Sequence, residues 1–209
     1  FTRRSHKVGE FELHINIHKE YTDTLQDGNL VYLASNKVGI IRYREMSREG
    51  NQILVVKGPC LKALLASRIT VPPADKANDT IKGSAETVAK HYVVKNAIQP
   101  ENNNRVIPHL ECSPDEQKGT ILEWSSRFKP LEEEIERITQ HSSVWWNIEC
   151  DVENRKYQLV IHSVASKISS QTERPPVIFS IDFNNIHKST FIDSSLTYRN
   201  IAYVAGQGE

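Results

Sequence analysis

The sequence predicts a mainly β, α+β protein: an antiparallel, barrel-like domain built from both ends of the chain, with a small α+β domain inserted between them. Three observations predict it. Apolar and polar residues alternate over residues 10–18 and again over 177–183, the period of a strand with one buried and one wet face. Between these segments, two stretches carry apolar residues at helical spacing. Proline pairs at 72–73 and 175–176 stand near the two crossings. The expected boundaries are 1–72 plus 176–209 for the discontinuous domain and 77–165 for the insert.

The first element, EFELHINIH, sets Phe11, Leu13, Ile15 and Ile17 against Glu12, His14, Asn16 and His18. NLVYLAS and VGIIRYREM follow, parted by Asn36-Lys37, a pair suited to a tight turn. SREGNQ turns the chain again into ILVVKG. Residues 10–58 thus read as a meander of about four antiparallel strands. CLKALLASR places Leu61, Leu64, Leu65 and Arg68 on a short helix, which Pro72-Pro73 ends.

In the insert, Ser84 is the expected N-cap of a helix whose stripe is Ala85, Val88, Ala89, Tyr92 and Val93. Residues 99–119 read as loop, with a brief strand in RVIPHLEC. FKPLEEEIERITQHS is a second helix with a seam of Phe128, Leu131, Ile135 and Ile138, its glutamates mostly outward. VWWNIEC and YQLVIHSV form a hairpin through DVENRK. The serine-rich stretch 165–176 is a linker or long loop. VIFSIDF and YRNIAYVAG then return to the style of the first strands.

Composition narrows the function. The chain has 209 residues, enough for a substantial core. With 26 basic and 26 acidic residues, its net charge gives no general attraction to nucleic acid or an anionic membrane. No apolar run reaches the length of a membrane span. Three widely spaced cysteines, Cys60, Cys112 and Cys150, without a CxxC pair, argue against a disulfide framework or structural zinc. They read as single thiols of a chain made in a reducing cytoplasm.

Candidate chemistry is sparse. His14 and His18 share a strand face, but four residues of strand separate them by about 13 Å, too far for one metal shell. His109, Glu111 and Cys112 are ligand types without ligand spacing. Glu132, Glu133 and Glu134 are adjacent on a helix and point apart. GxSxG, HExxH, GxGxxG and GxxxxGK[ST] patterns are absent from the sequence. No catalytic, cofactor-binding or metal-binding residue is therefore assigned, and the protein reads as a non-enzyme without a cofactor. The single candidate for ligand stacking is the Trp145-Trp146 pair, which puts one indole on each face of a strand. Core packing is the competing reading. His162, on the polar phase of the paired strand, adds no chemistry alone.

The order of features carries a resemblance. The Arg3-Arg4 pair leads into GEFELHIN. A meander runs to KGPCLKALLASR, a helix holds AKHYVVKNAI, and a helix and hairpin lead to VIFSIDFNNI and YRNIAYVAGQGE. The series resembles the ReqiPepy-type tail protein family of siphophages and prophages, which is similar in turn to phage tail hub, or baseplate hub, proteins. The likeness lies in Phe-Glu-Leu, Gly-x-x-Leu-x-x-Leu-Leu-x-x-Arg and Asn-x-Ala-Tyr-Val-x-Gly, over essentially the whole chain.

The resemblance implies a virion structural protein that forms a ring, as a trimer in the intact protein, at the end of the tail tube. It implies further chain at both ends, contacts with distal tail and tape-measure proteins, and DNA passing without specific binding. It places the protein in the virion tail, made in the host bacterial cytoplasm. The alternative is a receptor- or carbohydrate-binding module of the tail tip.

Overall fold

The computed structural model describes residues 1–47, 52–164, 175, 178–186, 188, 190–195, 200 and 201. Phe1–Val164 form one compact unit and Ala165–Glu209 a second. The first is mainly β, with two α-helices. Its strands are β1 (Glu10–Asn16), β2 (Leu30–Ala34), β3 (Lys37–Ile40), β4 (Tyr43–Ser47), β5 (Ile53–Pro59), β6 (Asp79–Ser84), β7 (Leu110–Cys112), β8 (Ile121–Ser126), β9 (Val144–Asp151) and β10 (Lys156–Ser163). The helices are α1 (Ala85–Val93) and α2 (Leu131–Gln140). Among the described residues the strands form four small sheets, ordered β1-β5-β4, β7-β10-β9, β2-β3 and β6-β8, and none closes into a barrel.

The predicted face of β1 is correct. Phe11 is buried, Leu13, Ile15 and Ile17 pack beside it, and Glu12, His14 and Asn16 are exposed. The meander is not a single sheet, however. The run expected as one strand over 38–46 breaks at Ile41-Arg42, and β3 and β4 enter different sheets. Backbone bonds explain the break. Ile41 donates its N–H to the carbonyl of Asn29 and accepts from the N–H of Gly28, both at 2.9 Å. The kink sends Ile40 into one core and Ile41 into another. As a result β1 pairs with β5, antiparallel from Glu10↔Pro59 to Asn16↔Ile53, rather than with β2. The turn expected around 48–51 lies outside the described residues. Two glycines are required here by close approach. A Cβ on Gly58 would lie 1.8 Å from the carbonyl oxygen of Ile40, and one on Gly39 would lie 2.1 Å from the Phe11 ring.

The run expected as a short helix at 61–68 forms a 3-10 helix, Leu61–Ser67, with Leu61 and Leu65 buried. These two join Val38 and Ile40 in the main core, together with α1, α2 and the inner faces of β9 and β10. The chain before Pro72 also bonds to the segment leading into α2. Thr70 and Lys129 are joined N–H to O at 2.8 Å, and Leu131 donates to Arg68 at 2.9 Å. The first 72 residues therefore share their largest core with residues 85–161.

α1 forms as its sequence dictates. Ser84 caps it, accepting the Thr87 N–H at 3.2 Å, and all five predicted stripe residues are buried. The helix runs on into a π turn, Val94–Ile98. α2 buries Leu131, Ile135 and Ile138, but Phe128 lies outside it, 55% exposed and in the left-handed region at φ 48°. Glu134 departs from its outward neighbours and is fully buried. Strands β6 and β8, which pair antiparallel from Asp79↔Ser126 to Ser84↔Ile121, are not marked by a clear alternation. The hairpin β9–β10 is present as read, and β7 joins β10 in parallel.

In the second unit, the strand expected over 177–183 is not formed where the chain is described. The side chain of Asn185 takes up the backbone instead. It accepts the Ser180 N–H and donates to the Ile178 carbonyl, each at 2.9 Å. The Asn184 N–H donates to the Ile181 carbonyl at 2.9 Å, closing a turn. Such local side-chain bonds compete with a ladder. The predicted linker over 165–176, apart from Pro175, and nearly all of the last predicted strand lie outside the described residues. Of the segment 176–209 expected to complete the first domain, the described residues carry no strand.

Candidate functional site

Strand β9 separates the two tryptophans as alternation requires. Trp146 faces inward and is fully buried. Its indole N–H donates to the His6 carbonyl at 2.6 Å, and the Lys62 ammonium lies 4.6 Å from its ring centroid. It is therefore a core residue with its polar handle satisfied.

Trp145 faces outward. The ring of His162, its partner across the ladder, stacks on it with centroids 4.1 Å apart and planes 16° apart. The Arg3 guanidinium lies 5.7 Å from the Trp145 centroid. A hollow of about 200 Å³, lined by Arg3, Arg4, Ser5 and Trp145, opens beside it. Burial lowers the pKa of His162, while Glu149, 3.5 Å away, opposes that shift. A neutral imidazole therefore covers one part of the indole. Asn147 follows on the same face and is 8% exposed, with its Nδ2 unbonded. The hollow thus presents an aromatic edge, two guanidinium groups and the Ser5 hydroxyl.

The other candidates are held apart by structural bonds. His14 bonds the Glu12 carboxylate at 2.6 Å, and Lys57 bonds it at 3.1 Å. The His14 bond, then the Lys57 bond, hold the Glu12 carboxyl below its usual range. His18 uses its backbone N–H to bond the Asn16 side chain at 2.9 Å. His109 is exposed, and Glu111 pairs with Lys156 at 2.9 Å. The Cys112 thiol is pushed up to about 11, chiefly by burial, so it stays protonated at neutral pH. Glu132 is shifted upward by burial and by Glu136 and Glu133. Glu134 accepts the Trp124 indole N–H at 2.8 Å.

Three buried polar centres were not read from sequence. Glu86, in the first turn of α1, pairs with Lys90, and its second oxygen accepts the N–H groups of Glu116 and Lys118 at 3.2 and 2.9 Å. One carboxylate thus anchors the loop before β8. Asp79 pairs with His91 at 3.0 Å and Lys95 at 3.3 Å. Lys62, 2% exposed, donates to the carbonyls of Arg4, Ser5 and Lys7 at 2.8, 3.0 and 3.2 Å. The available signals were weak: a lone lysine inside CLKALLAS, and an acid beside the helix cap.

Glu86, Asp79 and Lys62 thus hold loops, a helix and a strand in place within a mainly β protein. Its family is shown directly. The model described as Siphovirus ReqiPepy6 Gp37-like protein matches residues 1–209, and the chain belongs to that family, as the order of its motifs suggested. Comparison with curated proteins gave no match. Among solved structures, the chain is similar to the E. coli c3393 protein at 7% identity and a TM-score of 0.39, over 74% of this chain. That protein is described as a component of the type VI secretion system with structural similarity to the T4 bacteriophage tail proteins gp27 and gp5. The chain spans 41% of that protein's length.

Proposed function

We propose that this protein is a structural component of a siphophage or prophage tail, a tail-tip or baseplate hub subunit that forms a ring, as a trimer, at the end of the tail tube. The observation that carries this reading is the family match over the whole chain. Two physical features support it. The sheet β1-β5-β4 has two outer strands, each with a single ladder neighbour among the described residues, and such edges are natural sites for further pairing. Leu30, Tyr32, Leu33, Tyr43 and Met46 are also exposed on this part of the chain, and exposed apolar residues in number suit a surface that is covered in an assembly.

In this reading a barrel-like body is completed around that sheet by later chain or by a neighbouring subunit, with the α+β midsection as its insert. The protein acts by shape and symmetry rather than by catalysis. Its partners are copies of itself and the distal tail and tape-measure proteins. DNA passes the ring without specific contacts, and the mature location is the virion tail.

Light scattering across a concentration series, with co-purification against the distal tail protein of the same phage, tests the reading. A trimer that retains the distal tail protein is expected. A monomer at every concentration that captures no tail protein removes it. The second reading, a receptor- or carbohydrate-binding module, draws on the hollow beside Trp145 and is weakened by the imidazole already stacked there. Loss of cell-wall binding in Trp145→Ala, with the oligomer intact, would favour it.

A further inference from the structure

We infer that residues 2–10 are a latched flap: a loop that opens as a unit while the rest of the first unit stays folded, with Lys62 as the latch that holds it over Trp146 and the outer edge of β9.

The flap has almost no apolar anchor. Arg3, Arg4, Ser5 and Lys7 are exposed, and His6 and Val8 are only half-buried. Burial of hydrophobic surface therefore does little to hold it. Its ends are closed by reciprocal backbone bonds between Thr2 and Glu10, at 2.7 and 3.2 Å. The base is fixed at Gly9, whose carbonyl accepts the Cys60 N–H at 2.8 Å. Only glycine fits there, because a Cβ would lie 2.1 Å from the Thr2 carbonyl oxygen.

Between these points the flap's carbonyls converge. Those of Arg4, Ser5 and Lys7 meet at the Lys62 ammonium. Three hydrogens match three oxygens, and the Trp146 ring supplies a π face at 4.6 Å. Burial brings the Lys62 pKa down to about 8, so the cation persists at neutral pH. Without it, three carbonyl dipoles would point at one another. Two further bonds tie the flap to β9: the Trp146 indole N–H to His6 at 2.6 Å, and the Trp146 backbone N–H to Ser5 at 3.4 Å.

Opening breaks these polar bonds but leaves their carbonyls on an exposed segment, where water replaces the lost partners. Opening exposes an edge of the Trp146 indole, while α1, α2 and β10 stay packed in the main core. The opening free energy therefore lies below that of global unfolding. What opening uncovers is one end of β9's outer edge. The other end is covered independently, where the Cys150 N–H donates to Ser35 at 2.8 Å. A freed strand edge accepts an added strand. This inference does not depend on the tail assignment.

Hydrogen exchange followed by NMR on the whole chain tests it. In the native protein, the Trp146 indole and backbone N–H groups should exchange faster than the amides of β10, with a weaker dependence on urea. Lys62→Met should speed the Trp146 exchange by about tenfold or more, since bonds to a charged donor are the stronger kind, while the urea dependence of Trp146 stays weaker than that of β10. Trp146 and β10 exchanging with one common urea dependence in the native protein overturns the inference, even if Lys62→Met does not fold. So does a Lys62→Met variant that folds and leaves the Trp146 exchange rate unchanged.

Discussion

The first unit has two apolar cores of unequal weight. The larger gathers Val38, Ile40, Leu61 and Leu65 with α1, α2 and the inner faces of β9 and β10. The smaller holds Phe11, Ile41, Leu54 and Val56, flanked by half-buried residues such as Leu13 and Ile15. Helices seal the larger one, and close ion pairs join buried Glu86 to Lys90 and buried Asp79 to His91 beside it. The smaller is a sheet with one covered face, and all of β4 is exposed. The difference teaches where each part gets its stability. One region is complete in itself, while the other keeps strand edges and apolar side chains available.

Substitutions in the two cores sharpen that contrast. Glu86→Ala should cost most, about 3–5 kcal/mol, because it strands Lys90 in the interior and frees two backbone donors. Urea unfolding would measure it. In the smaller core, Val56→Ala should cost less, about 1–3 kcal/mol, as one small side chain is trimmed beneath an open sheet. Equal costs at the two sites would break the comparison.

A smaller effect concerns pH. Lys62 has a folded pKa of about 8, below its ordinary 10.5. Between those values the unfolded chain binds more protons, so stability rises with pH across the window. The unfolding free energy of wild type minus that of Lys62→Met should climb from pH 8 to 10.5. A decline would mean that the three carbonyls outweigh the burial of the charge. The smallest change is expected from Glu12→Gln. It removes an exposed carboxylate with two partners, and solvent screening should leave the urea-unfolding midpoint close to that of wild type.

Legibility in the sequence followed the strength of local pattern. The β1 faces, the α1 stripe with its Ser84 cap, most of the α2 seam and the β9–β10 hairpin were all readable, because period and cap chemistry act within a few residues. The break at Ile41 was not, since it depends on backbone bonds to Gly28 and Asn29. Strands β6 and β8 were missed because Asp79–Ser84 and Ile121–Ser126 mix polar and apolar residues without clean alternation. Phe128 fits a helical seam by spacing, yet its positive φ places it before the helix. At the candidate face, the opposite fates of Trp145 and Trp146 followed from alternation alone. The His162 stack needed the register between two strands, and the Lys62 cage needed a loop fifty-odd residues upstream in the chain.

The order of strands in the sheet β7-β10-β9 sets a timetable for synthesis. The middle position belongs to β10, the last of the three to leave the ribosome. Until Lys156–Ser163 emerges, β7 and β9 have no mutual ladder, and the edges that each will turn to β10 stay unpaired. A pause in translation shortly before that point would hold a nascent chain with exposed strands, the kind of intermediate that chaperones shield.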